Sequence, residues 1–190
     1  MKENILNKRQ YDVAHFIEIS EMILISIGLF LVPFLIPQFF GGNSQYIVGA
    51  IVNCSLIVTG INIKGWKKII GLVTLPSVAA LTSGLVINTA SIYSMYMIPI
   101  IWLGNMLIIY VYRYLLVERK KNYLLSSFCA IALKTGVIFL GFNVLCVLHI
   151  FPSKVAEVLF IAMGINQLIT ATCGSLFAFI IIKLGYERTM

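Results

Sequence analysis

Long apolar runs alternate with short polar or basic connections along almost the whole chain. A helix needs about 20 apolar residues to cross the roughly 30 Å hydrocarbon core of a bilayer. The pattern predicts six such helices, at residues 22–40, 45–63, 69–87, 95–116, 123–151 and 155–184. We therefore expect an all-α integral membrane protein, built as a bundle of about six transmembrane helices.

The composition agrees with this assignment. Hydrophobic residues make up 60% of the 190 residues and charged residues only 11%, whereas an ordinary soluble domain has about 25% charged residues. The length leaves room for one membrane domain. We expect an amphipathic cytoplasmic segment at residues 1–20, followed by a single six-helix transmembrane domain at residues 21–186, in the cell membrane of a bacterium.

The positions of the basic residues predict the orientation. Twelve of the 14 Lys and Arg residues fall in the N-terminal segment, the connections after the second and fourth spans, and the C-terminal end. The other three connections contain only Lys154. Because cytoplasmic loops are enriched in Lys and Arg, both termini are predicted to be cytoplasmic. The net charge of +7 is explained by basic residues in the cytoplasmic connections of a protein embedded in the lipid bilayer. We therefore expect no nucleic-acid partner.

The sequence offers no pattern of an enzyme or a metal protein. The four cysteines lie singly in apolar runs, and His15 and His149 fall at opposite ends of the predicted topology. The segment 60–67 lacks the Gly-Lys-Ser/Thr ending of a phosphate-binding loop. We expect no catalytic residues, no metal site and no cofactor.

Lys134 is the one Lys or Arg residue that lies away from the ends of a predicted span. If the helix spans from Tyr123 to Phe151, the ammonium lies near mid-membrane, where it would face the bundle interior or a water-filled cavity. If only 135–151 is buried, the side chain extends to the cytoplasmic boundary instead. The sequence leaves both interpretations open.

Five side-chain amides are predicted to lie near mid-membrane or in the outer half: Asn53, Asn105, Asn143, Asn166 and Gln167. Lipid cannot satisfy their hydrogen bonds, so they should meet one another, a ligand or water. Each could also be a packing clamp between helices. Asn53, Asn105, Asn166 and Gln167, with Lys134, form the candidate substrate-binding set. Such a set would suit an anionic or amide-bearing small molecule.

Four segments carry a family resemblance: "YIVGAIVNCSLIV", "MIPIIWLGNMLIIYVYRYL", "AIALKTGVIFLG" and "INQLITATCGSLFAF". Together with the six spans, they resemble the substrate-binding S components of energy-coupling-factor transporters. The resemblance implies a bundle that binds a micronutrient near its outer face. It also implies partners: a transmembrane coupling subunit and two cytoplasmic ATPases. The matching positions are Asn105, Lys134, Asn166 and Gln167.

The first span departs from that family. S components present alanines four residues apart for the coupling subunit, whereas this span offers Ser20, Ser26 and Gly28. Two other functions therefore stay open. One is a structural or assembly protein whose amides only clamp helices together. The other is a stand-alone ion or proton carrier that depends on Lys134.

Overall fold

The computed structural model describes residues 2–41, 44–62, 66–84 and 91–187, without the side chains of residues 2–15, 17, 18, 66–68, 91 and 185–187. Almost all of these residues are helical, and none is in a strand. The helices are α1 (Lys2–Phe40), α2 (Ser44–Asn62), α3 (Trp66–Thr82), α4 (Ser91–Ser94), α5 (Ile98–Tyr112), α6 (Tyr123–Val147), α7 (Ser153–Met163) and α8 (Ile165–Glu187). A 3-10 turn, Met95–Met97, precedes α5, and a π-helical stretch, Arg113–Glu118, follows it.

Five segments of the described chain are long and apolar enough to cross a membrane. They are Ile19–Phe40, Ser44–Asn62, Ile92–Glu118, Tyr123–Val147 and Ser153–Leu184. The all-helical prediction is confirmed, and a multi-pass membrane protein is the architecture these segments fit. The cytoplasmic position of both termini stays a prediction.

The third predicted span is shorter than the sequence suggested. Its helix, α3, has 17 residues and ends at Thr82, with a shorter apolar stretch at Ile69–Thr82. Gly84 follows with φ +70°, in the left-handed region that commonly ends a helix. The predicted residues 85–87 lie outside the described part of the chain. At about 1.5 Å per residue, α3 reaches roughly 26 Å.

The sixth predicted span is divided into two helices at Gly164, which has φ −99° and ψ −93°. A Cβ at this position would lie 2.9 Å from the Phe160 carbonyl oxygen and 3.4 Å from the Phe139 ring, so only glycine fits without displacing a neighbour. The predicted span over residues 155–184 agrees with the apolar segment Ser153–Leu184, but it is not one continuous helix. The break makes Asn166 and Gln167 part of the first turn of α8.

Helix α1 is continuous, so the predicted boundary between residues 20 and 21 falls inside one helix. It packs on α3 and α2, while several of its large apolar side chains are exposed, among them Leu24 and Phe39. Helix α2 lies at the centre of the bundle, where it packs on α8, α5, α1 and α3. The main apolar core surrounds α2 and includes Leu56, Ile57 and Tyr112.

Two glycines bring α2 and α8 close together. A Cβ on Gly174 of α8 would lie 2.5 Å from the Cβ of Asn53, and a Cβ on Gly49 of α2 would lie 2.6 Å from Thr170 Cγ2. The small residues Ala171 and Ala178 continue the same buried stripe of α8. Close approach of this kind is how small residues hold membrane helices together. It also sets the position of Asn53 beside the cavity described below.

Candidate functional site

A cavity of about 140 Å³ lies inside the bundle. Gln45 near the start of α2, Leu81 near the end of α3 and Ser94 before α5 all line it. These positions place it in the half of the bundle whose connections contain few basic residues. Its remaining polar lining comes from Asn53, Ser77, Asn105, Lys134, Asn166, Gln167 and Thr170.

All five candidate residues from the sequence line this one cavity. Asn53 comes from α2, Asn105 from α5, Lys134 from α6, and Asn166 with Gln167 from α8. Four of the five amides that were expected to meet therefore line one cavity, and Asn143 does not. Their role as ligand-binding groups stays a prediction.

Lys134 is buried near the middle of α6, with only 2% of its surface exposed. Its ammonium donates to the Asn105 Oδ1 atom at 2.7 Å and, through a second bond, to the Asn53 Oδ1 atom. The structure therefore has the lysine inside the bundle and does not have it extended to a membrane boundary. An ammonium facing lipid at this depth would cost at least ~2.5 kcal/mol, which these bonds and the cavity reduce.

Hydrogen bonds from the Nδ2 atoms of Asn105 and Asn53 fix the orientation of both amides. The Asn105 Nδ2 atom donates to the Val73 carbonyl oxygen of α3 at 3.2 Å. The Asn53 Nδ2 atom donates to the Gly49 carbonyl oxygen at 2.9 Å and to Thr170 Oγ1 at 3.4 Å. Because amide nitrogens must face these acceptors, the amide oxygens face the lysine. Five helices, α2, α3, α5, α6 and α8, are thus joined through one ammonium and two amides.

On the α8 side of the cavity, polar side-chain groups lack hydrogen-bond partners in the described part of the chain. Asn166 is only 8% exposed, yet its Oδ1 atom is buried without a hydrogen-bond partner. The Gln167 side chain is half-buried and makes no hydrogen bond to any part of the chain that the structure describes. A buried amide oxygen without a partner costs about 1–3 kcal/mol. The wall formed by α8 can therefore accept further hydrogen bonds.

The cavity has one charged group on its described wall, Lys134, and no carboxylate. Apolar side chains, including Val48, Val52, Ile98 and Met163, form the rest of its surface. Within the described ranges no group of three His, Cys, Asp or Glu residues is arranged to hold a metal ion. A cavity with mainly apolar walls and a few convergent polar groups is the usual form of a small-molecule site.

Sequence reasoning missed several lining residues. Thr170 is the most informative, because its hydroxyl accepts from Asn53 and donates to the Gln167 carbonyl oxygen at 3.2 Å. Its position four residues after Asn166 puts it on the same helix face, a spacing that could have revealed it. Asn143, by contrast, donates to Phe139 of its own helix at 2.7 Å and is not among the residues that line the cavity.

A second polar cluster lies towards the opposite end of the bundle. The buried Tyr112 hydroxyl bonds to Ser127 Oγ at 2.8 Å and to Ser175 Oγ at 2.7 Å, while Tyr123 donates to the Ser175 carbonyl oxygen at 2.7 Å. These hydroxyls are paired with one another and join α5, α6 and α8. The cluster therefore has the features of a packing clamp, and none of these four residues lines the cavity.

Comparison of the chain with protein-family models, with characterised proteins and with solved structures finds no significant match.

Proposed function

We propose that this protein is a membrane-embedded binding subunit that captures a small solute for uptake. The observation that supports this most is the meeting of Asn53, Asn105, Lys134, Asn166 and Gln167, from four helices, around one cavity. The sequence pattern resembles the S components of energy-coupling-factor transporters. That family supplies the expectation that a micronutrient is the solute.

The cavity favours a binding role over simple clamping. Interiors are close-packed, and helices that only clamp together leave few voids larger than a water molecule. Here about 140 Å³ stays open beside the polar groups. The unpartnered Asn166 oxygen and the unbonded Gln167 side chain also suit a site whose last partner is a ligand.

Entry from the outside follows from the charge pattern. The cavity lies in the half of the bundle whose connections contain few basic residues, and such connections are expected outside the cell. The chain has no phosphate-binding loop of its own. Uphill uptake would therefore depend on a coupling subunit and cytoplasmic ATPases, as in the family that the sequence resembles.

A structural or assembly role is the second candidate, and one observation favours it. Asn53 and Asn105 are hydrogen-bonded at both ends of their amides, as packing clamps are. Asn166 and Gln167 do not share this property. The two functions therefore make different predictions for Gln167, whose side chain can be removed without breaking a hydrogen bond in the described structure.

The experiment is native mass spectrometry of the protein purified gently from its own membranes, with Gln167→Ala and the matched control Gln38→Ala. Gln38 is exposed near the end of α1, away from the cavity. The binding function predicts a small molecule retained by the wild type and the control, and lost from Gln167→Ala at unchanged thermal stability. A wild-type chain that is stable and carries no small molecule would favour the structural role.

A further inference from the structure

We propose that the solute is a small organic anion that also carries a hydrogen-bond donor, with its anionic group on Lys134 and its donor on Asn166. This inference rests on the proposed binding function and adds the chemical class of the ligand. It follows from the difference between the two sides of the cavity. One side has an ammonium with an unused N–H, and the other has an unused acceptor.

The positive charge of Lys134 is solvated but not neutralised. An ammonium has three N–H donors, and two of them go to neutral amide oxygens, of Asn53 and Asn105. The third has no partner in the described structure. Buried charges in proteins are normally paired with an opposite charge, yet no carboxylate belongs to the described cavity wall. An anion in the cavity would supply that pairing.

The side-chain amides of Asn53 and Asn105 are held in one orientation and remain neutral, so they do not neutralise the ammonium. Their nitrogens are held by the carbonyl oxygens of Gly49 and Val73, so a flip would break those bonds and direct N–H groups at the ammonium. Asn53 and Asn105 therefore hold the ammonium in place and leave its positive charge free to attract an anion. A ligand cation would be repelled by this arrangement, and a neutral ligand would leave the charge uncompensated.

The α8 side adds a partial positive charge and an acceptor. The break at Gly164 starts α8 at the cavity wall, and the first turn of a helix carries N–H groups without partners within the helix. The dipole of α8 therefore also favours an anion nearby. The Asn166 side chain lines the cavity, and a rotation of its amide would bring the buried, unpartnered Oδ1 atom to a hydroxyl or amino group of the same ligand.

The volume limits what the cavity holds. An apolar cavity of about 150 Å³ holds one benzene molecule, which has six non-hydrogen atoms. The 140 Å³ here is comparable. Lactate, with an anionic group and a hydroxyl on six non-hydrogen atoms, is therefore a fair probe of the site. Propionate lacks the hydroxyl, and lactamide lacks the charge.

The test measures the unfolding temperature of the full-length protein in detergent with each probe at equal millimolar concentration and constant ionic strength. A ligand that binds the folded state raises this temperature. We expect lactate to raise it most, propionate less, and lactamide not at all. Equal shifts with lactate and lactamide, or no shift with lactate, would overturn the proposal.

Variants locate the effect. Lys134→Gln removes the charge and keeps N–H donors for both amide oxygens, so it should lose the preference for lactate over lactamide. Lys154→Gln, a matched change at an exposed position, should keep it. Asn166→Leu should lose only the preference for lactate over propionate, which Asn143→Leu should keep. A lactate preference that survives Lys134→Gln would show that the anion binds elsewhere and overturn the assignment.

A second variant covers the case in which Lys134→Gln does not fold. Asn105→Asp keeps the side-chain shape and gives the ammonium an internal carboxylate, so the lactate preference should disappear in a folded protein. Persistence of the lactate preference in Asn105→Asp would contradict the proposal.

Native mass spectrometry separates this inference from the proposed binding function. A retained neutral or cationic compound would overturn the assignment of an anionic ligand and leave the binding function standing. A protein that retains no compound would count against the binding function itself.

Discussion

The Lys134 ammonium of α6 lies 2.7 Å from the Asn105 side-chain oxygen of α5. That amide also reaches the Val73 carbonyl oxygen, so it links α3, α5 and α6 at one point. Asn53 makes the equivalent link from α2. The polar centre of the bundle therefore contributes to stability as well as lining the cavity, and substitutions there should have two measurable effects.

Asn105→Ala should lower both stability and ligand retention. The change removes one acceptor of a buried ammonium and the bond to α3, and an unpartnered buried group of this kind costs about 1–3 kcal/mol. Thermal unfolding in detergent and native mass spectrometry measure the two effects. Asn143→Ala is the control, because its amide bonds within α6 and lies away from the cavity. An equal loss in both variants would contradict the role given to Asn105.

Gly174→Ala should displace Asn53. The added methyl would lie 2.5 Å from the Asn53 Cβ and 2.8 Å from the Ala50 carbonyl oxygen, so α2 and α8 must separate. Overpacking of this kind costs about 1–3 kcal/mol. We expect a lower unfolding temperature together with weaker ligand retention. Gly136→Ala on α6 is the matched control, because its methyl would meet nothing within 4 Å; equal effects of the two changes would refute this packing account.

Tyr112→Phe should reduce stability and leave ligand retention intact. Its hydroxyl bonds to Ser127 and Ser175 in the buried cluster towards the other end of the bundle, and losing these bonds costs about 1 kcal/mol. The readouts are again thermal unfolding and native mass spectrometry. Tyr96→Phe, at an exposed position, should change neither. Loss of the retained molecule in Tyr112→Phe would mean that the two polar clusters are coupled.

The orientation predicted from the basic residues assigns each connection to one side of the membrane. Single cysteines at Ser153 and Arg119, both exposed, can be introduced after the four native cysteines are replaced by alanine. A membrane-impermeant maleimide added to intact cells should label Ser153→Cys, and should label Arg119→Cys only after the cells are opened. The reverse pattern would invert the topology and place the entrance of the cavity on the cytoplasmic side.

The sequence by itself determined the helical class and most of the spans, because lipid forces the backbone to satisfy its own hydrogen bonds and long apolar runs then have one solution. The same reasoning identified the five polar residues. Charged and amide side chains cost free energy inside a membrane, so they are rare in spans and stand out in the sequence. It could not resolve where Lys134 lies, because the length of a run does not show which part of it is buried.

Only the tertiary structure decided how those residues are used. The sequence did not reveal the break at Gly164, because glycine is common in membrane helices and the neighbouring Phe139 ring and Phe160 carbonyl oxygen become visible only after folding. Nor did it distinguish the paired amides, Asn53 and Asn105, from the unpaired Asn166. That difference depends on partners up to 117 positions away in the sequence, which only the packing of α2 against α8 and α5 against α6 brings together.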